Sequence, residues 1–165
     1  MNTFTFHAAD QAATDSFAAA LVAVIPDGTT VALEATLGAG KTYLVQSVAE
    51  NAGIPREQVT SPTFVLCQEY HGNRTIYHFD AYRINDEDEF LQLGVEEYFQ
   101  STGLIFVEWS DRVSNCLPAS HLRIRIDVTG DCSRDLVVSA IGQYPSSILS
   151  EIETRLAGRT GKPAQ

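Results

Sequence analysis

Lysine is nearly missing from this chain. Of 165 residues only Lys41 and Lys162 are lysine, and the 11 lysines and arginines are outnumbered by 21 aspartates and glutamates, a formal net charge of -10. Such an acidic surface repels other polyanions, which argues against extended unaided binding to nucleic acid or to an anionic membrane. A protein partner is easier to accommodate. Cysteine is scarce too: Cys67, Cys116 and Cys132 are odd in number, far apart and in no Cys-x-x-Cys pair, which fits reduced thiols better than a disulfide frame or a zinc site. The longest uncharged apolar run, Ser16 to Pro26, falls short of the roughly 20 residues that span a bilayer. Met1 to His7 lacks the basic start and apolar core of a secretory signal. A cytoplasmic chain with no membrane and no DNA partner is the expectation. It is expected to form one domain over residues 1–157, with 158–165 a flexible tail.

With lysine so rare, its placement in Leu37-Gly38-Ala39-Gly40-Lys41-Thr42 is informative. An apolar run, Thr30 to Leu33, precedes this stretch and an amphipathic one, Tyr43 to Ala49, follows it. Strand, glycine-rich turn and helix in that order make a phosphate cradle. Glycines let backbone N–H groups crowd around an anion, and the helix N-terminus adds partial positive charge. Gly38, Ala39, Gly40 and Lys41 would line the phosphates, with Lys41 on the β and γ groups and the Thr42 hydroxyl toward Mg2+. The strict pattern has a glycine five residues before Gly40, where this chain has Ala35, between Glu34 and Thr36. The alternative is an ordinary strand-to-helix turn.

Periodicity predicts a strand over residues 3–7 and a helix from Gln11 to Val24, capped by Asp10, with Phe17, Leu21 and Val24 inward and Thr14 on its more polar side. Leu44, Val45 and Val48 give the next helical stripe, ended by Gly53 and Pro55. A polar loop from Val59 to Phe64 leads into a hairpin, Val65 to Tyr70 and Thr75 to Phe79. Asp86 to Glu89 suits the first turn of a helix with Phe90, Leu91 and Leu93 on its buried side. Gly103 to Val107 is apolar throughout, as in a central strand buried on both faces, and runs into Glu108. In open parallel sheets the ligand lies beyond the carboxyl ends of the strands, so Glu108 would reach a metal held beside Thr42. Two alternating strands, Leu122 to Val128 and Leu136 to Ile141, precede a last helix from Ser146 to Leu156.

Phosphoryl transfer asks for a cradle, Mg2+, a group that orients water, and a cation for the transition state. Thr42 and Glu108 are assigned to Mg2+, directly or through water, and Asp80 to the attacking water or the metal. Glu108 is otherwise a solvated strand-end acid and Asp80 a turn cap. Thr63 would touch the γ-phosphate or the metal, or belong to a simple turn. Arg83 either supplies positive charge or pairs with residues 86–89. His78 reads as a packed strand residue, Tyr82 as core or interface, and Trp109 as packing near the site. Competing classes are a P-loop small-molecule kinase and a non-catalytic interaction domain with a degenerate loop.

Four stretches in one order resemble the TsaE (YjeE) family of P-loop ATPases of bacterial tRNA threonylcarbamoyladenosine synthesis. They are the loop itself, Thr60-Ser61-Pro62-Thr63-Phe64 with Glu69-Tyr70, Tyr77-His78-Phe79-Asp80-Ala81-Tyr82-Arg83 with Gly94-Val95, and Val107-Glu108-Trp109. The resemblance implies a P-loop α/β fold, a mainly parallel central sheet flanked by helices with antiparallel hairpin additions. It implies ATP and ADP as ligands with Mg2+, catalytic roles for Lys41, Asp80 and Glu108, and metal contacts from Thr42, Asp80 and Glu108. Leu37 to Tyr43 would hold the nucleotide, Thr14 and Arg134 would flank the adenine, and residues 61–63 would be a switch-like loop. The implied partners are TsaB and TsaD, with tRNA involved indirectly. Ala35 and Thr36 depart from the Gly-Asp usual in that family.

Overall fold

The computed structural model describes residues 2–62 and 66–159. Seven strands form one sheet: β1 (Thr3–Ala8), β2 (Thr30–Ala35), β3 (Cys67–His71), β4 (Thr75–Asp80), β5 (Leu104–Glu108), β6 (His121–Val128) and β7 (Arg134–Ile141). Their spatial order is β1-β7-β6-β2-β5-β4-β3. The four central strands are parallel and the edges are antiparallel pairs. The apolar run of β5 explains its place, since every residue from Leu104 to Glu108 is buried.

Helices α1 (Gln11–Val24), α2 (Lys41–Asn51) and α5 (Ser146–Arg159) cover one face, where Phe17, Leu21, Leu44, Val48, Leu149 and Ile152 join Val31, Leu33 and Phe106 in the larger core. The other face carries a smaller core of Phe79, Ile105 and Val107 against Phe90 of α3 (Glu87–Leu91), Val95 of α4 (Val95–Phe99) and Val113. Asp10 caps α1 by accepting from the Ala13 N–H at 2.8 Å, as its position before the helix predicts.

Three expectations change. Thr14 is buried at 8% exposure, because α1 packs on α2, and it stands at a cavity beside the glycine-rich loop. Leu91 is 40% exposed: α3 closes at Gln92, and Gly94 in the left-handed region, φ 74°, starts a separate α4, so one long apolar stripe does not form. Helix α5 continues through Arg159, whose guanidinium donates to Ser16 O at 3.4 Å. Thr63, Phe64 and Val65, and residues 160–165 of the expected tail, lie outside the described residues.

A polar clamp ties α1 to α2 and to the 3-10 turn Arg56–Gln58. Asp15 accepts from Tyr43 Oη at 3.1 Å, Ser47 Oγ at 2.8 Å and Arg56 Nη2 at 2.8 Å. Burial alone would raise the Asp15 carboxyl, but the bonds from Arg56, Ser47 and Tyr43 outweigh it and hold it below the ordinary aspartate value. A depressed folded-state value contributes stability above the unfolded pKa, which disappears as pH falls through the carboxylate range. Asp15→Asn is therefore expected to lower the thermal midpoint by about 2 °C at pH 7 and by less at pH 3, measured by calorimetry.

Candidate functional site

The loop between β2 and α2 takes its shape from two glycines in the left-handed region, Gly38 at φ 77° and Gly40 at φ 113°. A side chain at either position would be strained. Gly40 is the N-cap of α2 and offers no side-chain acceptor, so the first N–H groups of the helix are left for an anion. Ala39 is anchored from both sides, its N–H donating to Thr36 O at 3.2 Å and its carbonyl accepting from Arg134 Nε at 2.9 Å. Leu37 stands at the tip, 76% exposed.

Lys41 is buried, with Nζ donating to Ala35 O at 3.0 Å and Thr36 O at 3.1 Å and lying 3.9 Å from the Trp109 ring centroid. Burial pulls this ammonium below its ordinary value, against Glu108, Asp80 and Asp111, which raise it. The residues that depart from the usual loop pattern thus meet Lys41 through backbone carbonyls, a contact their side chains do not alter.

Parallel pairing sets Asp80 of β4 opposite Glu108 of β5, and Leu33 of β2 opposite Glu108 on the other side. Both carboxylates therefore end their strands beside the start of α2, each about 2% exposed. Glu108 Oε1 accepts from Thr42 Oγ1 at 2.8 Å and lies 2.8 Å from His78 Nε2. Asp80 Oδ2 accepts from Ser61 Oγ at 3.1 Å and Oδ1 from the Tyr82 N–H at 2.8 Å. Asp80 thus caps its own turn and faces the cleft at once.

A cleft of about 420 Å³ gathers Lys41, Thr42, Ser61, Asp80, Glu108 and Trp109 with the glycine-rich loop. A second cavity of about 630 Å³ opens on the other side of the loop, walled by Thr14, Tyr43 and Arg134 and by Gln11, Asp131 and Cys132. Gly38, Gly40 and Tyr43 line both, so the two cavities meet along the loop. Arg83 is exposed and outside both walls. Thr63 lies outside the described residues.

The donors around Thr42 are one hydroxyl and two carboxylates, and no group of three or more His, Cys, Asp or Glu residues suited to a metal occurs among the described residues. Few hard oxygen ligands, with phosphates and water to complete the set, suit Mg2+. Sequence reasoning missed His78 as a partner of Glu108, Ser61 as a partner of Asp80, and Arg112, whose guanidinium stacks 5.5 Å from the Tyr82 ring and 6.0 Å from that of Trp109. Only the hydroxyl-rich 60–63 stretch carried a local signal for any of them.

Strand β2 feeding α2 through this loop, at the carboxyl edge of a parallel sheet, is the architecture of the P-loop NTPases. Among solved structures the chain is similar to that of Bacillus subtilis YdiB, with a TM-score of 0.76 and 29% identity over 92% of this chain and 95% of the other. A family profile described as "Threonylcarbamoyl adenosine biosynthesis protein TsaE" matches residues 8–136, and the chain belongs to this family. Curated relatives named tRNA threonylcarbamoyladenosine biosynthesis protein TsaE include one from Bacillus subtilis, 38% identical over 84% of this chain and 87% of the relative. Another, from Treponema pallidum, is 38% identical over 70% of this chain and 85% of the relative. No helix among the described residues is long and apolar enough to cross a membrane.

Arg134 tests the joint between the two cavities, since its Nη1 also donates to Gly130 O and Ser133 O while Nε holds the loop. Arg134→Ala is expected to weaken nucleotide affinity roughly tenfold by titration calorimetry, the size of one charge-assisted bond.

Proposed function

We propose that this chain is a Mg2+-dependent ATP hydrolase that supports a TsaB–TsaD pair in forming threonylcarbamoyladenosine beside the anticodon of tRNA. Family membership supports the pathway, and the convergence of Lys41, Thr42 and Glu108 at the start of α2 supports nucleotide chemistry. In this reading the loop N–H groups and Lys41 bind the phosphates, Thr42 and Glu108 hold Mg2+, and Asp80 orients the attacking water or shares the metal. Mg2+, when bound, supplies charge neutralisation at the terminal phosphates. Tyr43, Thr14 and Arg134 flank the base, and Leu37 covers the loop tip. The net charge of -10 fits a chain that serves the tRNA through protein partners without gripping it directly.

Among the described residues lining the cleft, Lys41 is the single cation. Turnover by the chain alone is therefore expected to be slow, and stimulated by TsaB–TsaD. Measuring Mg2+-dependent ATP binding by calorimetry and then phosphate release with and without TsaB–TsaD tests this. Equal turnover in both conditions would sink the partner-stimulated reading, and ADP formation stimulated by a metabolite alone would favour a small-molecule kinase.

A further inference from the structure

His78 enters none of the roles above, yet its surroundings single it out. Its side chain is 0% exposed. It stands two residues before Asp80 on β4, on the same face, and its Nε2 lies 2.8 Å from Glu108 Oε1. Thr42 Oγ1 donates to that same oxygen. Two donors occupy the lone pairs of Oε1; they stop the carboxylate from rotating and leave Oε2 as the oxygen available to the cleft.

The other imidazole nitrogen is as informative. Nδ1 is buried with no hydrogen-bond partner among the described residues, and the ring lies 6.2 Å, centroid to centroid, from that of Tyr70. Buried polar atoms are nearly always paired, and an orphan asks for a reason. Leucine in this slot would fill the larger core without desolvating a nitrogen. With a carboxylate oxygen 2.8 Å away, Nε2 is the nitrogen that donates, the arrangement that grips Glu108.

We propose that His78 is a positioning residue: it donates from Nε2 to Glu108 Oε1 and thereby presents Oε2 to the Mg2+ of a bound nucleotide. The proposal rests on the P-loop reading of the site. His78 acts through Glu108 and touches no ligand itself.

Full-length wild type, His78→Leu and His78→Gln test it. Leucine keeps the bulk and removes the donor; the glutamine amide reaches toward the place of Nε2 and restores one. The readouts are the thermal midpoint without nucleotide and calorimetric binding of a non-hydrolysable ATP analogue across a range of Mg2+ concentrations. His78→Leu is expected to melt no lower than wild type and to need roughly tenfold more Mg2+ for the same affinity, while His78→Gln returns to within about threefold of wild type. Wild-type Mg2+ dependence in His78→Leu overturns the proposal alone. So does loss of Mg2+ dependence in both variants together with a lower midpoint, the signature of a packing role. No Mg2+-dependent binding by wild type overturns the P-loop reading and this proposal together.

Discussion

Lys41→Ala is expected to weaken Mg2+-dependent ATP binding by at least about a hundredfold, the loss of two charge-assisted hydrogen bonds to phosphate. The ammonium is already oriented by Ala35 O and Thr36 O and covered by the Trp109 ring, so little side-chain entropy remains to be lost on binding. Lys41→Met separates charge from bulk, because the thioether chain keeps the contact with Trp109. It should bind as poorly as the alanine variant. The sign of the stability effect follows from the lowered lysine pKa: folding disfavours the charged form, and that opposition is present below the usual value of 10.5 and gone above it. Lys41→Met is thus expected to melt no lower than wild type at pH 7. For the same reason, nucleotide affinity of the wild type should begin to fall with rising pH before 10.5 is reached. Calorimetry between pH 7 and 10 checks both statements, and the Trp109 emission reports departure of Lys41 from the ring.

Local signals made the shape of the loop legible. Glycine at 38 and 40 meets positive φ, Asp10 caps α1 through its own side chain, Asp86, read with the first turn of α3, stands one residue earlier as its cap, and the unbroken apolar run of β5 puts Glu108 at the end of a central strand. What stayed hidden depends on pairing between distant segments. The His78–Glu108 contact spans 30 residues and exists because β4 and β5 pair in parallel with Asp80 opposite Glu108; a one-residue slip would turn His78 to the other face. Thr14 has polar neighbours in sequence, and its burial follows from α1 packing on α2. The cover over Lys41 needed Trp109 in the left-handed region at φ 58°, where a bulky residue is rarely found and no pattern announces it. That strain sits beside the candidate site, in keeping with the tendency of such conformations to cluster there.

Glu108→Gln should raise the Mg2+ needed for nucleotide binding by at least roughly tenfold and, at saturating Mg2+, lower TsaB–TsaD-stimulated turnover by about a hundredfold or more. The amide oxygen can take the place of Oε1, still accepting from Thr42 and His78, while the NH2 group falls where Oε2 stands. The cleft then loses the anion proposed to face Mg2+, and the bonds buried beneath it persist. The thermal midpoint is accordingly expected to stay within about 2 °C of wild type. Asp80→Ala makes the contrast. Both of its carboxylate oxygens accept, from the Tyr82 N–H and from Ser61 Oγ, so truncation takes the acceptor away from the partly buried Tyr82 N–H. This variant should lose turnover and also melt lower. Single-turnover phosphate release and calorimetry on the two variants side by side separate a carboxylate kept for its charge from one that also holds its own loop. Equal melting of the two would mean that the bonds at Asp80 do not hold the turn after β4.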